Sequence, residues 1–180
     1  MLNKILRVIF ILFCLLGIGY LILPDYNFPT PPPDSLQSQE PADTESSFRR
    51  AYFTNYTRAE VIEWYQNQFQ TSSFYSIKMP TLLLNYPPED SATIIRDQTM
   101  STYLQEVVHP FREGFYINGF EPTQEKDAIF IDGRSWEQKI IIRFVPSNLW
   151  IRLGIFSVTA ILMVLLWRAL KETLIIKKHE

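Results

Sequence analysis

Apolar positions are unevenly placed along this chain. Two blocks, Ile5–Leu23 and Leu149–Trp167, hold most of the aliphatic residues, and each is 19 residues long. At ~1.5 Å rise per residue a helix of that length covers roughly 28 Å, the thickness of a bilayer hydrocarbon core. Both blocks are predicted to be membrane-spanning helices, preceded by a short stub and followed by a basic tail over 168–180.

Between the blocks the pattern changes twice. Residues 24–47 have no apolar periodicity, and half of the chain's 12 prolines fall between Pro24 and Pro41. This stretch reads as an extended, partly polyproline II linker with a reach of at most ~70–75 Å. Residues 48–148 then show alternating periods. Phe48–Tyr56 is aromatic-rich and reads as a strand. Thr57-Arg-Ala-Glu60 is a capping box opening a helix to about Gln70, with Val61, Tyr65 and Phe69 on one stripe. Phe74–Met79 and Leu82–Asn85 read as a strand broken by Pro80, and a second helix is predicted over about Ser91–Gln98. Thr102–His109 and Phe115–Glu121 read as strands. Ala128–Asp132 and Trp136–Val145 flank Asp132-Gly133-Arg134-Ser135, a hairpin signal. The order β-α-β-α-β-β-β-β predicts an α+β domain, an antiparallel sheet with about two helices on one face, flanked by the two spans.

Charge supplies an orientation. The formal net charge is −2, but residues 24–148 carry 17 acids and 10 bases, while the remainder carries 7 bases and 2 acids. Lys4 and Arg7 precede the first span, and Arg168, Lys171, Lys177 and Lys178 follow the second. The positive-inside rule predicts both termini in the cytoplasm and residues 24–148 outside the plasma membrane. No small-x-small cleavage site follows the first block, which reads as an anchor. Cys14 is the only cysteine, so the outer domain must fold without disulfides.

The segment from Arg49 to Tyr65 resembles the strand–turn–helix opening of small bacterial envelope domains. The phrases Tyr86-Pro-Pro-Glu-Asp90, Ile95-Arg-Asp-Gln98, His109-Pro-Phe-Arg-Glu113 and Asn118-Gly-Phe-Glu-Pro122 are similar to those of uncharacterised two-span envelope proteins of small-genome bacteria. That resemblance implies an envelope location and brings no activity, cofactor or catalytic residue.

Reactive chemistry is sparse. Glu106, His109 and Glu113 are spaced E-x-x-H-x-x-x-E, but Pro110 prevents the helix a zinc hydrolase would use. The alternative is a strand-end histidine, hydrogen-bonded or solvated. Arg96 with Asp97 and Arg112 with Glu113 form two Arg–acid neighbours that could bind a polar ligand or make surface ion pairs. The carboxylate pairs Glu60/Glu63, Glu89/Asp90 and Glu125/Asp127 are each explained by caps and turns. There is no phosphate-binding glycine loop and no serine-hydrolase motif. No cofactor or metal is expected, and the acidic outer segment argues against nucleic acid.

The binding candidates are therefore His109, Arg112, Glu113, Arg96 and Asp97, with no catalytic assignment. The leading expectation is a membrane-anchored interaction or assembly module of the cell envelope. Its partners would be the lipid bilayer and an envelope protein or glycan, or a second copy. An enzyme acting on envelope glycan or peptide, with His109, Arg112 and Glu113 converging in a pocket, is the alternative. A channel or transporter subunit ranks last, because neither span has a polar face.

Overall fold

The computed structural model describes residues 2–70, 80–90 and 101–176. Three α-helices are described along their length: α1 (Leu2–Ile22), α2 (Arg58–Gln70) and α3 (Leu149–Ile176). The chain forms two compact units, Met1–Pro24 with Ser147–Glu180, and Asp25–Pro146.

The first unit contains α1 and α3. Within them Lys4–Ile22 and Leu149–Thr173 are long and apolar enough to cross a membrane, and only 6% of each apolar window is covered by protein. Helix α3 starts where Asn148 Oδ1 accepts Trp150 N–H at 2.9 Å, an N-cap bond. It continues nine residues past Trp167, because Arg168-Ala-Leu-Lys-Glu contains only good helix formers. Gly17 of α1 lies against Phe156 of α3, and a Cβ there would come 2.6 Å from the ring Cζ.

The second unit is α+β. Six strands, β1 (Leu36–Gln37), β2 (Arg49–Thr54), β3 (Leu82–Tyr86), β4 (Tyr103–Val108), β5 (Gly114–Phe120) and β8 (Gln138–Val145), form one sheet in the order β1-β2-β8-β5-β4-β3. Every neighbouring pair is antiparallel. A separate hairpin joins β6 (Ile129–Ile131) to β7 (Arg134–Trp136). Asp132 and Gly133 both have left-handed φ, 52° and 74°, as the two central residues of a type I′ turn require. The return strand thus begins at Arg134 and not, as expected, at Trp136. Pairing breaks at Glu137, whose N–H donates to Asn55 Oδ1 at 3.0 Å, before the chain enters the main sheet as β8.

Register decides which side chains reach the core. Tyr52 pairs with Ile140, Phe115 with Phe144, and Ile117 with Ile142, so all six point to one face. Helix α2 covers that face with Val61, Tyr65 and Phe69, each fully buried. Phe69 meets Phe115 edge to face at 4.2 Å between centroids. Burial of each such side chain stabilises by about 1.5–3 kcal/mol. The capping box is formed: Thr57 N–H and Oγ1 both reach Glu60 Oε2 at 2.8 Å, and Glu60 N–H returns to Thr57 Oγ1 at 3.4 Å.

Residues 25–47 are not a free tether. Leu36–Gln37 pairs with Phe53–Tyr52 as an edge strand. Trp64 Nε1 and Gln68 Nε2 donate to Thr30 O at 3.0 and 3.1 Å, while Thr30 N–H and Oγ1 both donate to Gln68 Oε1 at 2.8 Å. Asp43 is buried and takes Ser38 Oγ–H at 2.6 Å and the Lys139 ammonium at 2.7 Å. A proline-rich chain cannot build long ladders, but its carbonyls and flanking polar residues can be satisfied by side chains of the domain it lies on. Residues 88–90 are helical. The second expected helix, over about Ser91–Gln98, and the expected strand over 74–79 lie outside the described residues.

Candidate functional site

The turn joining β4 to β5 carries three of the sequence-selected residues. Its geometry follows from a short local rule. His109 N–H donates to Glu113 O at 2.9 Å, which closes the hairpin, and Arg112 N–H donates to His109 O at 2.9 Å across the tip. Pro110 and Phe111 fill the two central positions, the first suited by proline's fixed φ.

His109 lies inside the fold, 1% exposed. Its ring stacks on Tyr26, 4.9 Å between centroids and 21° between planes, and tilts against Phe69 at 4.3 Å. Nε2 is 2.7 Å from Phe69 O at the end of α2. A carbonyl only accepts, so this nitrogen carries the proton. Burial pushes the imidazole below its ordinary pKa; bonding to the Phe69 and Pro80 carbonyls opposes that shift and the Arg112 charge adds to it. The ring is packed between aromatics, out of reach of a substrate.

Arg112 and Glu113 do come together. Nε donates to Oε2 at 3.0 Å and Nη2 to Oε1 at 2.9 Å, a two-point grip between sequence neighbours. The two side chains are 1% and 0% exposed. Nη2 also lies 3.8 Å from Asp25 Oδ1. Glu106 is directed elsewhere and accepts Tyr86 Oη–H at 2.9 Å, so the spaced E-x-x-H-x-x-x-E residues do not converge. Among the described residues no group of three or more His, Cys, Asp or Glu is placed to hold a metal. Arg96 and Asp97 lie outside the described residues.

The cluster at the turn is thus a buried lock. It joins the N-terminal strap, through Asp25 and Tyr26, to the end of α2 and to the β4–β5 hairpin. Asp25 and Tyr26 escaped the sequence reading because they sit in a proline-rich stretch whose composition signals a lack of ladders and says nothing of packing. Phe111 at the tip was also passed over, although an aromatic following proline at a turn is an unusual choice.

The described residues form an open cleft at the other end of the sheet. It has a volume of about 700 Å³ and runs between the start of α2, the β5–β6 connection and β7. Glu121, Glu125 and Glu137 supply its acidic lining, Arg58 its cation, and Tyr56 and Trp136 its aromatic lining. Arg58 lies over the Tyr103 ring at 5.0 Å and donates to Asn85 Oδ1 at 3.1 Å. Glu60, beside the cleft, is committed to its cap, and the bonds from Thr57 hold its carboxyl below the usual range.

Compared with protein-family models, curated proteins and solved structures, the chain has no match to any of them.

Proposed function

We propose that the protein is a membrane-anchored interaction or assembly module of a bacterial cell envelope. In this reading both termini are cytoplasmic and residues 24–148 lie outside. The observation that carries it is the pair of long apolar helices, almost bare of protein cover, that precede and follow one α+β unit in the chain. Helices of that kind suit an apolar solvent, which takes the place of the missing protein cover. The polar residues most suggestive of chemistry support it too: His109, Arg112 and Glu113 are used up in holding one turn.

Crosslinking through the outer domain in intact native cells, followed by mass spectrometry, tests the reading. Recurrent capture of one heterologous envelope protein is the expected result. Self-crosslinks alone, or none, would overturn it.

The acidic cleft favours one second reading, an enzyme acting on envelope glycan or peptide. Such an enzyme would work from Glu121, Glu125 and Glu137, and not from His109. Hydrolysis of envelope glycan by the purified chain, lost on Glu137→Gln or Glu121→Gln, would establish it.

A further inference from the structure

The β4–β5 turn carries a side chain that its own fold does not use. Phe111 is 77% exposed, more than any other large apolar residue described in the Asp25–Pro146 unit. Its backbone is left-handed, φ 63°. That conformation is unfavourable for a bulky residue and easy for glycine or asparagine, which usually follow proline in such a turn. The position is therefore poorly filled on two separate grounds, backbone and solvation. The neighbouring charge does not share the exposure, because the Arg112 side chain is folded inward onto Glu113. What the tip offers to its surroundings is Pro110 and Phe111.

The second observation is where this tip lies in the chain. Gly114, just after the turn, pairs with Val145, the last residue of β8. Strand β8 runs toward the same end of the sheet as the turn projects. Only Pro146, Ser147 and Asn148 separate Val145 from the first residue of α3, a connection of at most roughly 14 Å. At the other boundary Asp25 is 3.8 Å from Arg112 and Tyr26 stacks on His109, and only Leu23 and Pro24 intervene between Asp25 and α1. Both connections to the apolar helices leave the sheet at the Phe111 end.

We infer that Phe111 is an interfacial anchor whose ring enters the headgroup region of a lipid bilayer. The inference rests on α1 and α3 spanning that bilayer, as proposed above. The interfacial layer is about 5–8 Å deep on each side of the hydrocarbon core, and it accepts aromatic rings readily. Connections this short allow the turn to reach that layer. The solvation that is unfavourable for Phe111 in water becomes favourable there, and the proline before it stiffens the wedge.

A single spin label tests this. Cys14→Ser removes the only cysteine, and Phe111→Cys, Phe130→Cys or Leu162→Cys then gives one labelling site in the full chain. Phe130 is exposed on the β6–β7 hairpin, next in the chain to the opposite end of β8, and Leu162 is exposed in the middle of α3. The labelled proteins are reconstituted into vesicles of phosphatidylcholine and phosphatidylglycerol. Collision with oxygen, which concentrates in lipid, is compared with collision with a water-soluble nickel chelate. The expected result is an oxygen-to-nickel ratio several-fold higher at 111 than at 130, at a depth shallower than 162. A ratio at 111 equal to that at 130, with 162 in lipid, overturns the anchor and leaves the spans standing. A water-like ratio at 162 overturns the spans and the anchor together. A label at 111 shielded from both reagents places the ring against a second copy and overturns the lipid assignment.

Discussion

Arg112 and Glu113 are adjacent in sequence and grip each other at two points, 3.0 and 2.9 Å, with neither side chain reaching solvent. Removing one partner takes this two-point grip from a charge that stays buried. Arg112→Ala is expected to destabilise the domain by about 3–5 kcal/mol, and Arg112→Met with Glu113→Leu by much less. Urea unfolding of the detergent-solubilised chain, followed by tryptophan fluorescence, measures both. Equal losses in the single and double variants would show that the charges do not act as a pair.

His109 gives the same turn a pH dependence. Its imidazole binds a proton less readily in the fold than in the unfolded chain, so folding favours the neutral ring. That contribution is complete above the unfolded pKa of about 6.5 and is lost as pH falls through the lower folded value. Wild type should therefore lose stability relative to His109→Asn as pH falls below about 6.5. Asparagine keeps a donor for the Phe69 carbonyl but has no proton to take up. Unfolding midpoints of both chains at a series of pH values test this, and parallel profiles would contradict it.

Lys139 holds the N-terminal strap to the sheet. Its ammonium is 2.7 Å from both Glu40 Oε2 and Asp43 Oδ2. Partial burial disfavours its charge, but the bonds to Asp43 and Glu40 outweigh that and raise its pKa. Lys139→Met leaves the buried Asp43 with Ser38 alone among these bonds. The expected outcome is faster protease cleavage within residues 30–45, with the remainder of the domain resistant. An unchanged cleavage rate would mean that the strap is held elsewhere, for instance by Gln68 and Trp64 on Thr30.

Gly119 on β5 lies beneath the Tyr103 ring of β4, its partner in register. A Cβ at Gly119 would overlap that ring. The ring cannot simply turn away, because its hydroxyl donates to Gln138 Oε1 at 3.0 Å. Gly119→Ala should cost about 1–3 kcal/mol. In a Tyr103→Leu background the same change should cost less, and a double-mutant cycle reads the difference.

Local signals were the legible ones. Thr57 and Glu60 lie three apart and Asp132 and Gly133 are adjacent, so the cap and the turn could be read without knowing the fold. The stripe Val61, Tyr65, Phe69 likewise announced its buried face. By contrast, the stacking of Tyr26 on His109 and the ion pairing of Lys139 with Asp43 join residues far apart in the chain. Nothing in their neighbourhoods marks them. The proline-rich composition of 24–41 spoke for extended backbone; the attachment of this stretch depends on Gln68, Trp64 and Lys139, which belong to other elements. His109, Arg112 and Glu113 were singled out as reactive types, and the same types serve equally well as a buried lock.

The position of β8 in the sheet has a consequence for biogenesis. β8 is the last strand to be synthesised, yet it sits between β2 and β5 and pairs with both. Until it emerges, β1 and β2 have no sheet to join, and the pairing of Arg49 with Arg143 closes a loop of most of the domain. Such long-range closure is slow and leaves strand edges open while it waits. Because α3 begins four residues after Val145, the strand that completes the sheet and the start of the second apolar helix are synthesised together. Domain closure is therefore late, and a truncation before β8 should leave an aggregation-prone half-sheet.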